Sequence, residues 1–201
     1  MCNDYAREIE AGRVIAAMEE MKHVPPFSYT GGRIPNDAAP TPHIKIRDTG
    51  LVIRLKDDRL EGEMMTWAWL QGKKPVFNFV SEGRDFSQSD RVLILATSSY
   101  EYTAPAERKP KIKLQDQHQF KLRGEEWFWI GGIAKNDCFT MLTVKPGADI
   151  APYHDRQIVV IPPARAMDWL TLAAPQTEIL KALPRGSLQH QLLRRDGVAL
   201  L

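Results

Sequence analysis

The second residue of the chain is a cysteine, Cys2, which directly follows Met1. A small side chain at this position allows the initiator methionine to be removed, and the new terminus would carry an α-amine and a thiol on adjacent carbons. Both groups have reactive forms near neutral pH, because their reference pKa values are about 8 and about 8.5. A 1,2-aminothiol attacks an aldehyde through nitrogen and closes through sulfur to a thiazolidine ring. Cys2 is therefore a candidate nucleophile, unless it is an ordinary residue that happens to occupy position two.

Three further polar positions lie inside or beside strand-like segments. Asn78, between aromatic residues, could orient an amine or a carbonyl through its donor and acceptor, or be a satisfied edge residue. Glu101, between two tyrosines, could have its pKa raised by desolvation and act as a general acid or base, or be a solvated strand end. His154 could shuttle protons with Asp155 fixing its tautomer, and Arg156 could hold a phosphate or carboxylate. The alternative for these last three residues is a surface turn.

Length, charge and cysteine content narrow the class of protein. The 201 residues fit one domain, 1–201, and a net charge of +2 is too small to argue for nucleic acid by itself. Two cysteines make no disulfide framework, and the start of the chain lacks the apolar core of a signal peptide. No stretch approaches the roughly 18 apolar residues of a membrane span. We therefore expect a cytoplasmic protein.

The histidines are scattered, and Cys138 stands apart from them. No pair has the spacing of metal ligands, so we predict no metal and no cofactor.

The first predicted element is an amphipathic helix over residues 4–22, with Asn3 or Asp4 as its cap. This helix would place Cys2 at the positive end of a helix dipole and favour its thiolate. A long connection, residues 23–43, follows.

The rest of the chain favours strands, with helices returning near the end. Hairpins are predicted at residues 44–55 and around the turn 122–127. Further candidate elements are strands at 64–70, 92–96, 119–122, 127–130, 139–144 and 158–161, and helices at 162–170 and 176–183. The tail after residue 184 is weakly patterned. We predict a single α+β domain with a mostly antiparallel, barrel-like sheet core and a few flanking helices.

Tryptophans recur with period two, Trp67 with Trp69 and Trp127 with Trp129. This spacing predicts that each pair lies on one sheet face. The rings could belong to the core or form a platform on which bases stack.

Taken in order, these segments resemble the SOS response-associated peptidase (SRAP) family over Cys2 to about Leu170. The segments that carry the resemblance are Met1-Cys2, Asn36-Asp37-Ala38-Ala39-Pro40-Thr41, Trp67, Asn78-Phe79-Val80-Ser81-Glu82, Arg91-Val92-Leu93, Ser99-Tyr100-Glu101-Tyr102, Ile130-Gly131-Gly132-Ile133 and His154-Asp155-Arg156. They are similar to the family's Met-Cys start, Asn-x-Ala-Pro-Thr, Met-Arg-Trp-Gly-Leu, Asn-Ala-Arg-Ala-Glu, Arg-Cys-Leu, Phe-Tyr-Glu-Trp, Ala-Gly-Leu-Trp and His-Asp-Arg-Met-Pro.

The resemblance implies a cysteine-type autopeptidase of the DNA damage response. Such a protein removes its own initiator methionine and captures the aldehyde of an abasic site in single-stranded DNA as a thiazolidine crosslink. It implies that Cys2 is the nucleophile and amine, that Asn78 orients the terminus, that Glu101 moves protons and that His154 assists. The same resemblance implies that Pro40, Trp67 and Arg156 contact the DNA. Arg84 and Arg33 are further expected DNA contacts, which could compensate for family arginines that this chain lacks. We expect a monomer that does not bind membranes.

Two family arginines expected near phosphate are replaced here by Asp4 and Val80. We therefore expect that the thiol chemistry is better retained than the binding of DNA, because Asp4 would repel phosphate. Two alternatives remain. One is a catalytically impaired module that binds nucleic acid or a small ligand, and the other is a thiol hydrolase that acts on another amide.

Overall fold

The computed structural model describes residues 2–21, 24–35, 37–105 and 115–200. The predictions that concern Met1, Asn36 and the end of the first helix at residue 22 lie outside these residues. Within them the strands are Asp4–Arg7 (β1), Phe27–Tyr29 (β2), Thr41–Lys45 (β3), Thr49–Lys56 (β4), Arg59–Trp67 (β5), Trp69–Gln71 (β6), Lys74–Val76 (β7), Asn78–Val80 (β8), Asp90–Ala96 (β9), Ser98–Thr103 (β10), Asp116–Leu122 (β11), Phe128–Lys135 (β12), Cys138–Val144 (β13), Gln157–Ile158 (β14), Val160–Ile161 (β15), Leu188–Arg195 (β16) and Val198–Ala199 (β17). The helices are Ala11–Glu19 (α1), Ala166–Thr171 (α2) and Gln176–Ile179 (α3), with a 3₁₀ turn at Pro163–Arg165.

Two large sheets form the body of the fold. The first has the order β17-β16-β11-β10-β1-β3, and the second has the order β14-β13-β12-β9-β4-β5-β2, with β8 on β13 and β15 on β12. An additional parallel pairing of β5 with β13 closes five strands of the second sheet into a ring. Most pairings are antiparallel, so the predicted barrel-like, mostly antiparallel α+β fold is confirmed.

The second sheet is buried on both faces, which explains its long apolar runs. One face packs against α1 and α2, as in the contact set of Ile53, Leu93, Trp129 and Trp169. The other face packs against the first sheet, where Val52, Ile94 and Ile130 meet Tyr5 and Phe120. We call these the helix-side core and the sheet-side core. Burial on both faces removes the polar alternation of a half-exposed strand.

The predicted helix over residues 4–22 is wrong in its first half. Asp4–Arg7 is a strand, and the helix begins at Ala11. β1 lies between β10 and β3, and all four of its residues are buried. Long-range pairing therefore overrides a helical periodicity that the sequence does contain. With no helix behind it, Cys2 has no dipole to favour its thiolate, and Asn3 and Asp4 cap nothing.

Both predicted hairpins are also wrong, because their strands separate into different sheets. The turn after Lys45 leads from β3 in the first sheet to β4 in the second, and the turn after Leu122 leads from β11 to β12 in the same way. The 23–43 connection contains β2 and the start of β3, the tail contains the eight-residue strand β16, and the helix predicted at 176–183 ends at Ile179. The strand predicted at 64–70 is broken at Ala68, whose φ is 86°. No helix in the described ranges is long and apolar enough to cross a membrane.

Candidate active site

Cys2 lies at the entrance to β1, inside the sheet-side core. Its side chain is 1% exposed, and Sγ donates a hydrogen bond to the Asp4 carbonyl at 3.2 Å. Burial raises the pKa of the Cys2 thiol far above its usual range, and the negative charge of Glu101 raises it further. The expectation of a favoured thiolate is therefore reversed. The sulfur is held as a thiol, and it needs a base before it can act as a nucleophile.

Asn78 fixes the backbone of Cys2. Its position is set by β8, which pairs in parallel with β13 and places Asn78 beside Met141. Asn78 Nδ2 donates to the Cys2 carbonyl at 2.8 Å, and Asn78 Oδ1 is buried with no hydrogen-bond partner among the described residues. A buried acceptor without a donor is costly. Asn78 therefore presents Oδ1 as a hydrogen-bond acceptor next to the Cys2 carbonyl, which Nδ2 already holds.

Glu101 belongs to β10, between Tyr100 and Tyr102, and is 4% exposed. Burial raises its pKa to about 7, and the charge of Asp155 acts in the same direction. The carboxyl is close enough to Cys2 for its charge to raise the pKa of the thiol. A carboxyl that is half ionised near neutral pH can both accept and return a proton, as general acid–base catalysis requires.

His154 lies between β13 and β14, half-buried. Its Nδ1 is 2.8 Å from an Asp155 oxygen and 3.0 Å from the backbone N–H of Arg156. One nitrogen cannot donate to the first and accept from the second at once. Burial lowers the pKa of His154, which favours the neutral ring. The adjacent Asp155 acts electrostatically on Glu101, which ties this loop to the site.

Arg156 is a structural residue and is not available to a phosphate. Its two terminal nitrogens each donate to Glu82 at 2.8 Å, and one also donates to the Thr143 carbonyl at 2.7 Å. These hydrogen bonds lower the pKa of Glu82 to about 2. The bidentate pair fastens the His154 loop to the segment after β8. We therefore exclude Arg156 from the proposed DNA contacts.

Trp67 is likewise part of the core. Its ring is fully buried, with Tyr5 at 5.5 Å and Phe139 at 6.3 Å between ring centroids, and Nε1 donates to the Phe77 carbonyl. No face of this indole is open to a base, so the core alternative describes it. Trp127 and Trp129 lie together in the helix-side core, as their spacing predicts.

The three remaining predicted DNA contacts, Pro40, Arg84 and Arg33, are exposed. The guanidinium of Arg84 lies 4.4 Å from the centroid of the Phe79 ring. The loop before Pro40 is held by Arg7, which donates to the Asp37 and Ala39 carbonyls at 3.1 and 2.9 Å. The periodicity of residues 4–22 predicts a helix that includes Arg7, and no local pattern indicates this buried role.

Asp4, the residue predicted to repel phosphate, is 2% exposed. Its Oδ2 accepts from the Tyr102 hydroxyl at 2.7 Å and contacts His43 Nδ1 at 2.9 Å. The carboxyl therefore lies within a hydrogen-bonded group on the first sheet.

A chain of hydrogen bonds beside Glu101 was not singled out from sequence. His118, opposite Glu101 in the strand register, contacts His190 at 3.0 Å, and His190 contacts the Tyr153 hydroxyl at 3.2 Å. Tyr153 immediately precedes His154, so these hydrogen bonds fasten the His154 loop to the first sheet. These histidines are far apart in sequence, and only the register of β11 and β16 brings them together. Among the described residues no three His, Cys, Asp or Glu side chains form a group that could hold a metal ion.

The fold and this site define a class: a β-rich protein with a buried cysteine at position two beside an amide and a proton-holding carboxyl. A family model, SOS response associated peptidase (SRAP), matches residues 1–195, and the chain belongs to this family.

Three crystal structures are similar in fold. Two come from Bordetella bronchiseptica, one of them a phage-related protein, each with TM-score 0.68, 18% identity and coverage of 96% of this chain and of 100% and 95% of theirs. The third is a protein from Bacteroides thetaiotaomicron, with TM-score 0.70, 14% identity and coverage of 97% and 93%. No curated protein matches the chain. At these identities the structural likeness concerns the fold alone.

Proposed function

We propose that this SRAP protein exposes Cys2 by cleaving the bond after Met1, and then crosslinks abasic sites in single-stranded DNA as a thiazolidine. The observation that carries the proposal is the hydrogen bond from Asn78 to the Cys2 carbonyl. It fixes the one residue whose nitrogen and sulfur can both attack a carbonyl. The neighbouring Glu101, with a pKa of about 7, supplies the proton transfers that both reactions need.

In the first reaction the Cys2 sulfur attacks the carbonyl carbon of Met1 while Glu101 takes the thiol proton. The proton passes to the departing nitrogen, and water hydrolyses the resulting thioester to release methionine. Asn78 Oδ1, which has no described donor, is suited to accept from the new amine.

In the second reaction the amine adds to the aldehyde carbon, and Glu101 protonates the hydroxyl that leaves as water. The thiol then adds to the imine carbon, and its proton passes to the imine nitrogen. The ring closes with loss of one water and no net change in protons. His154, whose ring is neutral because burial lowers its pKa, assists at the sugar or the imine.

The test begins with the intact mass of the purified protein, which is expected to lack one methionine. The processed protein is then incubated with single strands that carry an abasic site or an intact nucleotide. We expect attachment that survives denaturation, requires the abasic aldehyde and does not need borohydride. Cys2→Ser is the matched control, because its oxygen analogue forms a far less stable ring.

No attachment by processed, folded protein would reject the crosslinking function. Retained methionine together with binding of intact strands would favour the impaired binding module. Cleavage of unrelated amides that requires Cys2, without attachment to DNA, would favour the thiol hydrolase.

A further inference from the structure

A surface cleft of about 510 Å³ lies on the first sheet. Five strands of that sheet contribute to its wall, which we call the Asp4 cleft and which includes Asp4, His43, Lys45, Tyr102, Gln117 and Arg194. Tyr102 and Glu101 are consecutive residues of β10, and side chains of consecutive strand residues point to opposite faces. The Asp4 cleft therefore lies on the face of the first sheet that is opposite to Glu101 and the candidate active site.

The carboxyl of Asp4 has one satisfied oxygen and one unsatisfied oxygen. Its Oδ2 accepts from the Tyr102 hydroxyl at 2.7 Å and contacts His43 Nδ1 at 2.9 Å, and Gln117 Nε2 donates to the same hydroxyl at 3.2 Å. The side chain is 2% exposed, and Oδ1 has no hydrogen-bond partner among the described residues. A buried acceptor without a donor costs free energy. Asp4 Oδ1 is therefore suited to accept from an N–H group that enters the cleft.

Two cations on the same wall also lack a counter-charge. Within the described part of the chain, no carboxylate lies within ion-pair distance of the Lys45 or Arg194 side chain. Arg194 Nε donates to the Gln115 carbonyl at 2.9 Å, which leaves its terminal nitrogens without a described partner. Burial and the hydrogen bond to Asp4 raise the pKa of Tyr102, whereas the positive charge of Arg194 lowers it. Arg194 is thus near the hydroxyl that Asp4 binds, yet it does not pair with Asp4.

This separation of charges selects the kind of ligand that fits. A polyamine would satisfy Asp4 but would face two cations, and a phosphate would satisfy the cations but would meet a buried carboxylate. An α-amino acid carries its ammonium and its carboxylate on one carbon, so it can donate to Asp4 Oδ1 and accept from Arg194 or Lys45. Amide side chains complete the wall and can both donate to and accept from a polar side chain of the ligand: Asn3, Gln115 and Gln117.

We propose that the Asp4 cleft binds a free α-amino acid with a polar side chain. The ammonium group lies against Asp4 Oδ1, and the carboxylate lies against Arg194 and Lys45. The cleft does not use Cys2 or Glu101, so this inference goes beyond the proposed function and does not depend on it.

The test titrates L-glutamine into the full-length protein and measures binding by isothermal calorimetry. We expect a Kd of about 0.1 to 1 mM, which is ordinary for a ligand of this size. N-acetyl-L-glutamine lacks the ammonium and the α-amide of L-glutamine lacks the carboxylate, so each should bind at least about 10-fold more weakly. These two compounds test the two ends of the ligand without altering the protein.

Variants test the two ends of the cleft. Arg194→Gln and Asp4→Asn should each weaken binding of L-glutamine by about 10-fold or more, because each removes a charge from a hydrogen bond. Arg195→Gln is the matched control, since Arg195 is exposed, follows Arg194 in β16 and points to the other face. It makes the same change in net charge and should leave the Kd unchanged. Because Arg194 is on the rim, its variant remains informative if Asp4→Asn does not fold.

Absence of binding by L-glutamine at about 10 mM would overturn the proposal. Equal binding of N-acetyl-L-glutamine, or an unchanged Kd in Arg194→Gln, would also overturn it. Displacement of L-glutamine by undamaged oligothymidylate would assign the cleft to nucleic acid instead. Cys2→Ser should bind L-glutamine as the parent does, so crosslinking without glutamine binding rejects this inference alone, and glutamine binding without crosslinking rejects the proposed function alone.

Discussion

At the scale of single residues, the site is governed by a proton that Cys2 holds tightly and a carboxyl that can take it. Burial opposes ionisation of the thiol, and it also opposes ionisation of Glu101. The carboxyl nevertheless titrates near neutral pH, far below the thiol. Glu101 is therefore the stronger acid of the pair, and it becomes a base for Cys2 only when it has lost its own proton.

This order of pKa values predicts the pH dependence of processing. The rate of Met1 removal should rise with pH and level off above about 7, since the ionised carboxyl is the active form. Glu101→Gln should remove Met1 more slowly by about 100-fold or more, and its rate should no longer rise with pH. The measurement is the intact mass against time for refolded, unprocessed protein from pH 5 to 9. If the rate of Met1 removal by Glu101→Gln still rises with pH, the pH dependence belongs to another group.

The raised pKa of Glu101 also predicts how stability depends on pH. The free energy of unfolding should decrease as pH rises, whereas the rate of Met1 removal should increase. The pKa of Glu101 is about 7 in the folded protein against an ordinary 4.5, so between these values the folded state binds the proton that the unfolded state has lost. The free energy of unfolding contributed by this group is fully present below pH 4.5 and decreases as pH rises to 7. Glu101→Gln cannot ionise, so its stability relative to the parent should increase across this window by about 3 kcal/mol. Urea unfolding at pH 4.5, 6 and 7.5 measures the difference, and a constant difference would contradict the shift.

At the scale of elements, the position of Cys2 depends on β1 being a strand between two others. Gly50 in β4 makes room for Tyr5 of β1, because a Cβ at Gly50 would collide with the Tyr5 hydroxyl and crowd the Phe139 ring. That hydroxyl is buried and has no hydrogen-bond partner among the described residues. The glycine thus serves close packing between the sheets.

Gly50→Ala is expected to reduce the free energy of unfolding by about 1–3 kcal/mol, as overpacking does, and to slow processing by displacing β1. Tyr5→Phe removes the colliding oxygen without breaking a described hydrogen bond. The double variant should therefore be more stable than the sum of the single changes allows. If the two single changes have additive effects on the free energy of unfolding, the Tyr5 hydroxyl is not the group with which a Cβ at position 50 collides.

The sequence predicts elements well where one local signal dominates. The apolar runs in β9, β12 and β13 were found because both faces of these strands are buried. β1 cannot be predicted from its sequence, because its residues also fit a helical face and only pairing with β3 and β10 decides between strand and helix. Cys2, Asn78 and Glu101 could be selected by residue type and motif order. The roles of Arg7, His118 and His190 depend on strand register, which no local pattern encodes.

At the scale of the whole molecule, the two cores lie on opposite faces of the second sheet and contain different key residues. Cys2 lies in the sheet-side core, whereas Trp169 anchors α2 in the helix-side core and donates from Nε1 to the Val92 carbonyl. Arg91 further fixes this helix by donating to the Leu170 carbonyl at 2.9 Å. Cys2 and Trp169 thus lie on opposite faces of one sheet.

Trp169→Phe should therefore cost about 2 kcal/mol through lost volume and an unpaired carbonyl, yet leave the crosslinking rate of folded protein unchanged. Thermal denaturation and single-turnover crosslinking at 15 °C separate the two effects. A rate that falls in parallel with stability would mean that the two faces are coupled.

The burial of Cys2 has a practical consequence for reagents that seek thiols. Alkylating agents and peroxide react with thiolates, so they should modify the half-buried Cys138 and spare the buried Cys2. The protein would then keep the Cys2 thiol intact under the oxidising conditions that damage bases. A fluorophore could therefore be attached to Cys138 while the thiol of Cys2 stays unmodified.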